Sequence, residues 1–121
     1  MHQQDALQTI HDADPARITE GLVRAVRQIG TKASDNDPHA ARAIFTIAEA
    51  AAQRAGLPIL AADSHVNLAR QISIDGDPYE AIIVYNQALA MYQAANAPPQ
   101  KRASTLMTRA MSCLLYTSRC V

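Results

Sequence analysis

The sequence predicts an all-α protein built of antiparallel helix pairs, and three observations carry that prediction. Alanine supplies 24 of the 121 residues while aromatics make up only 4%, which favours helices at close range over a sheet of β-branched and aromatic side chains. Asp-Pro recurs at Asp14-Pro15, Asp37-Pro38 and Asp77-Pro78. Each pair places a carboxylate at a helix N-cap and a proline at the first helical position, where its missing N–H leaves nothing unpaired. No segment sustains period-two alternation, and the apolar run Ile82-Ile83-Val84-Tyr85 sits inside a longer helical pattern.

The elements follow from this punctuation. A short helix is expected near 3–11, and Pro15 opens a second near 15–33. Pro38 opens the next, near 38–55, and Gly56-Leu57-Pro58 ends it and starts 59–74. Asp75-Gly76-Asp77-Pro78 turns the chain into 78–96, with glycine free to take a left-handed C-cap. Ala94-Ala95-Asn96-Ala97 before Pro98-Pro99 marks the last boundary, so the final helix is expected near 99–112. Connections this short make neighbouring helices antiparallel. The length allows one domain or part of one, not two.

Charge narrows the function. Eleven Lys and Arg balance eleven Asp and Glu, against the cationic excess that a nucleic-acid binder or polybasic membrane anchor needs. No apolar run approaches the roughly 20 residues that span a bilayer. Met1-His2-Gln3-Gln4-Asp5 lacks the basic start and apolar stretch of a secretory signal. The expectation is a cytoplasmic chain with no nucleic-acid and no membrane partner.

The last nine residues, 113–121, break from this pattern. Cys113-Leu114-Leu115-Tyr116-Thr117-Ser118 resembles the translated mosaic end of a transposase sequencing adapter. Joined to its own reverse complement, that adapter continues as Arg-Cys-Val and a stop, matching Arg119-Cys120-Val121. The natural frame is then expected to be cut near Ser112, leaving an N-terminal fragment of a longer protein. Disulfide, metal and redox roles for Cys113 and Cys120 lapse with the tail. Without Arg119 the remainder carries ten basic residues against eleven acidic ones, so the charge argument stands. The alternative is a natural amphipathic C-terminus, which would bring both cysteines back.

An internal repeat organises the rest. Asp37-Pro38-His39-Ala40-Ala41 aligns with Asp77-Pro78-Tyr79-Glu80-Ala81 at an offset of 40. Ala41 then falls on Ala81, Phe45 on Tyr85, Ala48 on Ala88 and Pro58 on Pro98. One extra loop residue brings Ala62 onto Ala103 and Ala69 onto Ala110. Positions i, i+4 and i+7 share one helical face, where small residues let a partner approach and the central aromatic fills the gap. The preceding helix supplies Leu68, Ala69 and Ile72 on its matching face.

This pattern resembles the tetratricopeptide repeat. Leu68-Ala69 matches the large-small pair of the family's first helix, and Ile72 stands where an aromatic is preferred. Gly76 matches its turn, while Ala81, Tyr85 and Ala88 match the small-aromatic-small signature of its second helix. His65 departs from the large residue expected three before the leucine, and the closing proline comes late, at Pro98 or Pro99. A repeat of about 40 residues instead of 34 is similar to the kinesin-light-chain-like variety. One full repeat spans about 62–97, and the second helix of a preceding one covers 38–55. The expected organisation is N-terminal helices over 1–36, as a cap or degenerate repeat, then repeats over 37–112, the last one cut.

No catalytic constellation accompanies the repeats. His11-Asp12 with Asp14 suits a capped turn better than a metal-dependent phosphohydrolase motif, which needs a distant histidine and more carboxylates. Asp35-Asn36-Asp37 starts like a calcium loop but has Ala40 and Thr46 where glycine and a carboxylate belong. His39 and His65 each stand alone on a predicted helix, with nothing beside them to suit phosphotransfer. Tyr85 reads as core and Tyr79 and Tyr92 as seam residues; no basic residue between them makes a base-stacking platform. No cofactor, metal or catalytic residue is expected.

The resemblance implies a curved solenoid whose first helices line a concave groove for a peptide or partner domain. Asp63, Asn67, Arg70 and Ser73 would form its polar stripe, continued by Ser104 and Thr108, with Met111 beyond. Asn67 can hold a peptide backbone through an amide that both donates and accepts, and Arg70 can meet a carboxylate. The packing set is Ala41, Phe45, Ala48, Leu68, Ala69, Ile72, Ala81, Tyr85, Ala88 and Ala110. The expectation is an interaction module, a scaffold or sensor arm of a longer bacterial signalling or regulatory protein. The alternatives are a helical arm packing on its own catalytic domain (a caspase-like protease, cyclase or kinase) and a stand-alone bundle with a covert histidine site. Self-association through the cut C-terminal helix is expected in either of the first two cases.

Overall fold

The computed structural model describes residues 3–115, of which the side chain of Leu115 is excluded; Tyr116 to Val121 of the expected adapter tail lie outside the described residues. Six α-helices follow in order: α1 Gln3–Asp12, α2 Glu20–Ala33, α3 Pro38–Arg54, α4 Pro58–Ile74, α5 Pro78–Ala94 and α6 Pro99–Leu115. The last four are each 17 residues long with proline at the start. Asp37 and Asp77 cap α3 and α5 by accepting from the backbone N–H of Ala40 and Glu80. Three helices end alike: Gly56, Gly76 and Asn96 take positive φ, and the next residue's N–H returns to the carbonyl of Ala52, Ile72 or Tyr92.

The helix expected over 15–33 is two pieces. Pro15–Arg17 is a single 3₁₀ turn, Ile18 is extended, and α2 starts only at Glu20. Asp14 caps the short turn, while the Thr19 hydroxyl accepts from Leu22 N–H and opens α2. A second cap, Thr19, five residues after Asp14, is what divides the segment.

Each helix from α2 onward packs on the next, so neighbours run antiparallel, as a helical solenoid-like stack. In one row α4 touches both α2 and α6; in the other row lie α3 and α5, with α1 seated on α3. One core cluster joins Ala62, Val66, Ala69 and Ile72 of α4 to Ala81, Val84, Tyr85, Ala88 and Tyr92 of α5. A second joins Val23 of α2 to Ala51, Ala52, Leu60 and Ala61. Ala41, Phe45 and Ala48 are buried on α3, and Leu68 is half-buried against the first cluster. Glycine is required at Gly30, because a Cβ there would stand 2.7 Å from Phe45 Cε1. The α2–α3 pair is therefore closed by glycine against phenylalanine, as α4–α5 is by alanine and tyrosine.

On α6 the packed side is polar: Thr105 and Ser112 are buried, and Lys101, Thr108 and Arg109 half-buried. Its apolar side faces outward, with Met107 at 69% and Leu114 at 76% exposure beside Leu106 and Met111. Ala110, expected among the packing residues, is exposed. The reason lies in the repeat. An offset of 41 sets Ala103, Met107 and Ala110 on Ala62, Val66 and Ala69, which α5 covers in α4. Among the described residues no helix covers α6 in the same way. The last helix also runs past Ser112 to Leu115.

Candidate functional site

The row α2, α4, α6 presents a groove whose polar residues divide into a buried cluster and an open cleft. Asp63 stands two turns into α4 and is 6% exposed. One carboxylate oxygen accepts from the Tyr92 hydroxyl of α5, and the other from Lys101 Nζ of α6 at 3.1 Å. Arg27 of α2 stands 3.8 Å away and completes the cluster, though its buried Nε has no partner. Burial, then the hydrogen bond to Asp63, pushes the Tyr92 hydroxyl well above the ordinary tyrosine pKa. Asp63 thus ties three helices together. Its carboxylate is spent on the fold.

Asn67 and Arg70 lie one and two turns further along α4, half-buried and exposed. They share a cleft of about 250 Å³ with Thr31, Ser34 and Asp35 of the α2 end, Phe45 and Ile74. Its floor is a chain of polar bonds. The Ser34 hydroxyl donates to Gln71 Oε1 at 2.5 Å, Gln71 Nε2 donates to Asp75 Oδ1 at 2.9 Å, and Arg42 Nε donates to Asp75 Oδ2 at 2.6 Å. Gln71 is 2% exposed, so these bonds are what make its burial tolerable. A ligand here meets an amide, a guanidinium and an aromatic edge on a rigid base.

The polar stripe expected along α4 and α6 is therefore not one surface. Asp63 is buried under its partners, and Ser73 is buried with its hydroxyl donating to Ser112 Oγ at 2.9 Å. Ser104 is exposed, and the half-buried Thr108 hydroxyl donates back to the Ser104 carbonyl. Asn67 and Arg70 alone of the expected groove residues line the open cleft. Tyr85 is fully buried, and its hydroxyl makes no hydrogen bond of normal geometry among the described residues. Burial raises its pKa, with Ser112 and the Arg70 charge working the other way.

Sequence reasoning missed Arg27, Gln71 and Lys101, and read Tyr92 as a seam residue. The available signals were slight: Asp75 four residues after Gln71, and a lone lysine two residues into α6. His39 is exposed, whereas His65 is held between Glu49 and Gln87. Among the described residues no three His, Cys, Asp or Glu side chains converge as a metal site would need. No described helix is long and apolar enough to cross a membrane. The fold and groove define the class: an all-α stack of helix pairs with a polar cleft on one row. No family model, curated protein or solved structure matches the chain.

Proposed function

We propose that this chain is a protein-interaction module of the tetratricopeptide-like kind, an N-terminal part of a longer cytoplasmic protein of bacterial signalling or regulation. The observation that supports the reading most is the cleft of Asn67 and Arg70. It sits against the row of alternate helices, it is open, and Asn67 and Arg70 line it over a base of hydrogen-bonded polar side chains. An amide that donates and accepts beside a guanidinium suits an extended peptide segment with a carboxylate. The reading assigns no catalytic step and no cofactor to the chain itself.

A random peptide library displayed on phage and panned against the full chain tests this. Enriched peptides should lose roughly tenfold in affinity, about 1.4 kcal/mol, with Asn67→Ala or Arg70→Ala at unchanged Tm. Failure to enrich any sequence, or binding indifferent to both substitutions, would overturn the reading.

The outward face of α6 belongs to the same proposal. Leu106, Met107, Met111 and Leu114 form an apolar strip that water does not favour. Self-association through it is expected as a sedimentation coefficient that rises with concentration, and Leu106→Gln/Met107→Gln should return the chain to a constant monomer value. The same strip is the observation behind the second reading, in which the helices pack on a catalytic domain of their own protein. The tail at 113–121 is, in this proposal, adapter-encoded; sequencing the locus across codon 112 from a library made without transposase tests it.

A further inference from the structure

The side of α4 that meets α3 and α5 carries a device the groove does not use. His65 is half-buried between two helices: Nδ1 meets Glu49 Oε1 of α3, and Nε2 stands 2.8 Å from Gln87 Oε1 of α5. Its side chain is 13% exposed and that of Glu49 is 19% exposed. Gln53 Nε2 reaches the other Glu49 oxygen at 3.4 Å from the next turn of α3. The contacts join the second helices of two consecutive pairs, across 16 and 22 residues of chain. We propose that His65 is a protonation-operated clasp that sets how firmly the α2–α3 pair is held to the α4–α5 pair.

The chemistry follows from what each partner can do. A carboxylate only accepts, so Nδ1 must carry a proton in both states of the ring. The other nitrogen faces the carbonyl oxygen of Gln87, an acceptor, which suits the imidazolium with both nitrogens donating. When the ring is neutral, Nε2 becomes an acceptor and the Gln87 amide must turn to offer its NH₂. Deprotonation therefore costs the ion pair with Glu49 and reverses the bond to Gln87, while leaving the packing in place. Burial of the ring opposes its charge, but the bonds to Glu49 and Gln87 and the Glu49 charge outweigh it and raise the pKa.

Among the described residues, the charge paired with His65 is that of Glu49. From α3 the facing ionisable group is Glu49, and from α5 the facing side chain is Gln87, whose amide carries no charge. Glu80, the acid of α5, lies seven residues from Gln87, about two helical turns away. Arg42 of α3 is committed to Asp75. Arg27 of α2 and Lys101 of α6 engage Asp63, which projects from α4 about 200° around the axis from His65.

The raised pKa fixes the sign. The clasp contributes in full below the free imidazole value of about 6.5 and is lost as pH rises through the folded value. An NMR titration of the His65 ring in the full chain, paired with thermal melts at pH 5.5 and pH 8.5, tests the proposal. His65 should titrate above the free value in the wild type and lower in Glu49→Gln, which keeps the shape and a hydrogen bond but removes the charge. The wild-type Tm difference between acid and alkaline pH should be roughly halved in both Glu49→Gln and His65→Gln. A His65 midpoint below the free value, or a midpoint and Tm difference that Glu49→Gln leaves unchanged, would sink the clasp. Neither result depends on the groove binding anything.

Discussion

Asp63→Ala is expected to destabilise the chain by ~3–5 kcal/mol, the range for breaking a buried ion pair from one side. The substitution strands three groups at once. The Tyr92 hydroxyl loses its acceptor, Arg27 loses the carboxylate 3.8 Å from it, and Lys101 loses its partner. These losses are unequal. The Lys101 side chain is 42% exposed and can rehydrate, so Lys101→Met alone is expected to cost under ~1 kcal/mol. Arg27, at 22% exposure and with Nε already unpartnered, cannot rehydrate as well and carries more of the cost. Asp63→Asn keeps an acceptor for Tyr92 but removes the charge, and should fall between the two. Urea unfolding of the three variants checks the order: Ala worst, Asn intermediate, Lys101→Met mildest. A cost for Asp63→Ala near that of Lys101→Met would mean that Asp63 is not the tie between α2, α5 and α6.

Tyr85 gives the second large effect, and here two substitutions are expected to differ in sign. Tyr85→Ala empties the centre of the α4–α5 core and is expected to cost ~3–5 kcal/mol. Tyr85→Phe removes a buried hydroxyl that makes no hydrogen bond of normal geometry among the described residues, so it is expected to be neutral or stabilising by up to ~1 kcal/mol. Phe45 already occupies the corresponding place in the preceding pair, where the ring lies against Gly30. Thermal melts of both variants decide the matter. A marked loss in Tyr85→Phe would show that the hydroxyl finds a partner in solution, with Ser112 or Arg70 the nearest candidates by their influence on its pKa.

The groove shows where reading the chain alone reaches its limit. Asp63, Asn67, Arg70 and Ser73 look equivalent in sequence, since polar residues on one stretch of α4 offer no hint of what lies across from them. The structure sorts them by their neighbours. Tyr92 comes from 29 residues away and Lys101 from 38, and together they bury Asp63, while Ser112 covers Ser73. The two residues left lining the cleft are Asn67, half-buried, and Arg70, exposed. Gly30 was missed for a related reason: a mid-helix glycine carries no mark of the ring it must admit.

What the sequence determined by itself was local. Proline at the first helical position, aspartate caps and a left-handed residue after α3, α4 and α5 act within a few residues of chain, so they set those helices, their ends and their antiparallel order. The small-aromatic-small spacing likewise set which faces of α3, α4 and α5 meet, because helical period is a local property. Tertiary structure alone decided the outward turn of the apolar side of α6, the burial of Asp63 and the bridge through His65. Each of those outcomes depends on a group 16 or more residues away, or on the presence of a covering helix. Burial and charge pairing are set by that distant neighbour, which no local pattern encodes.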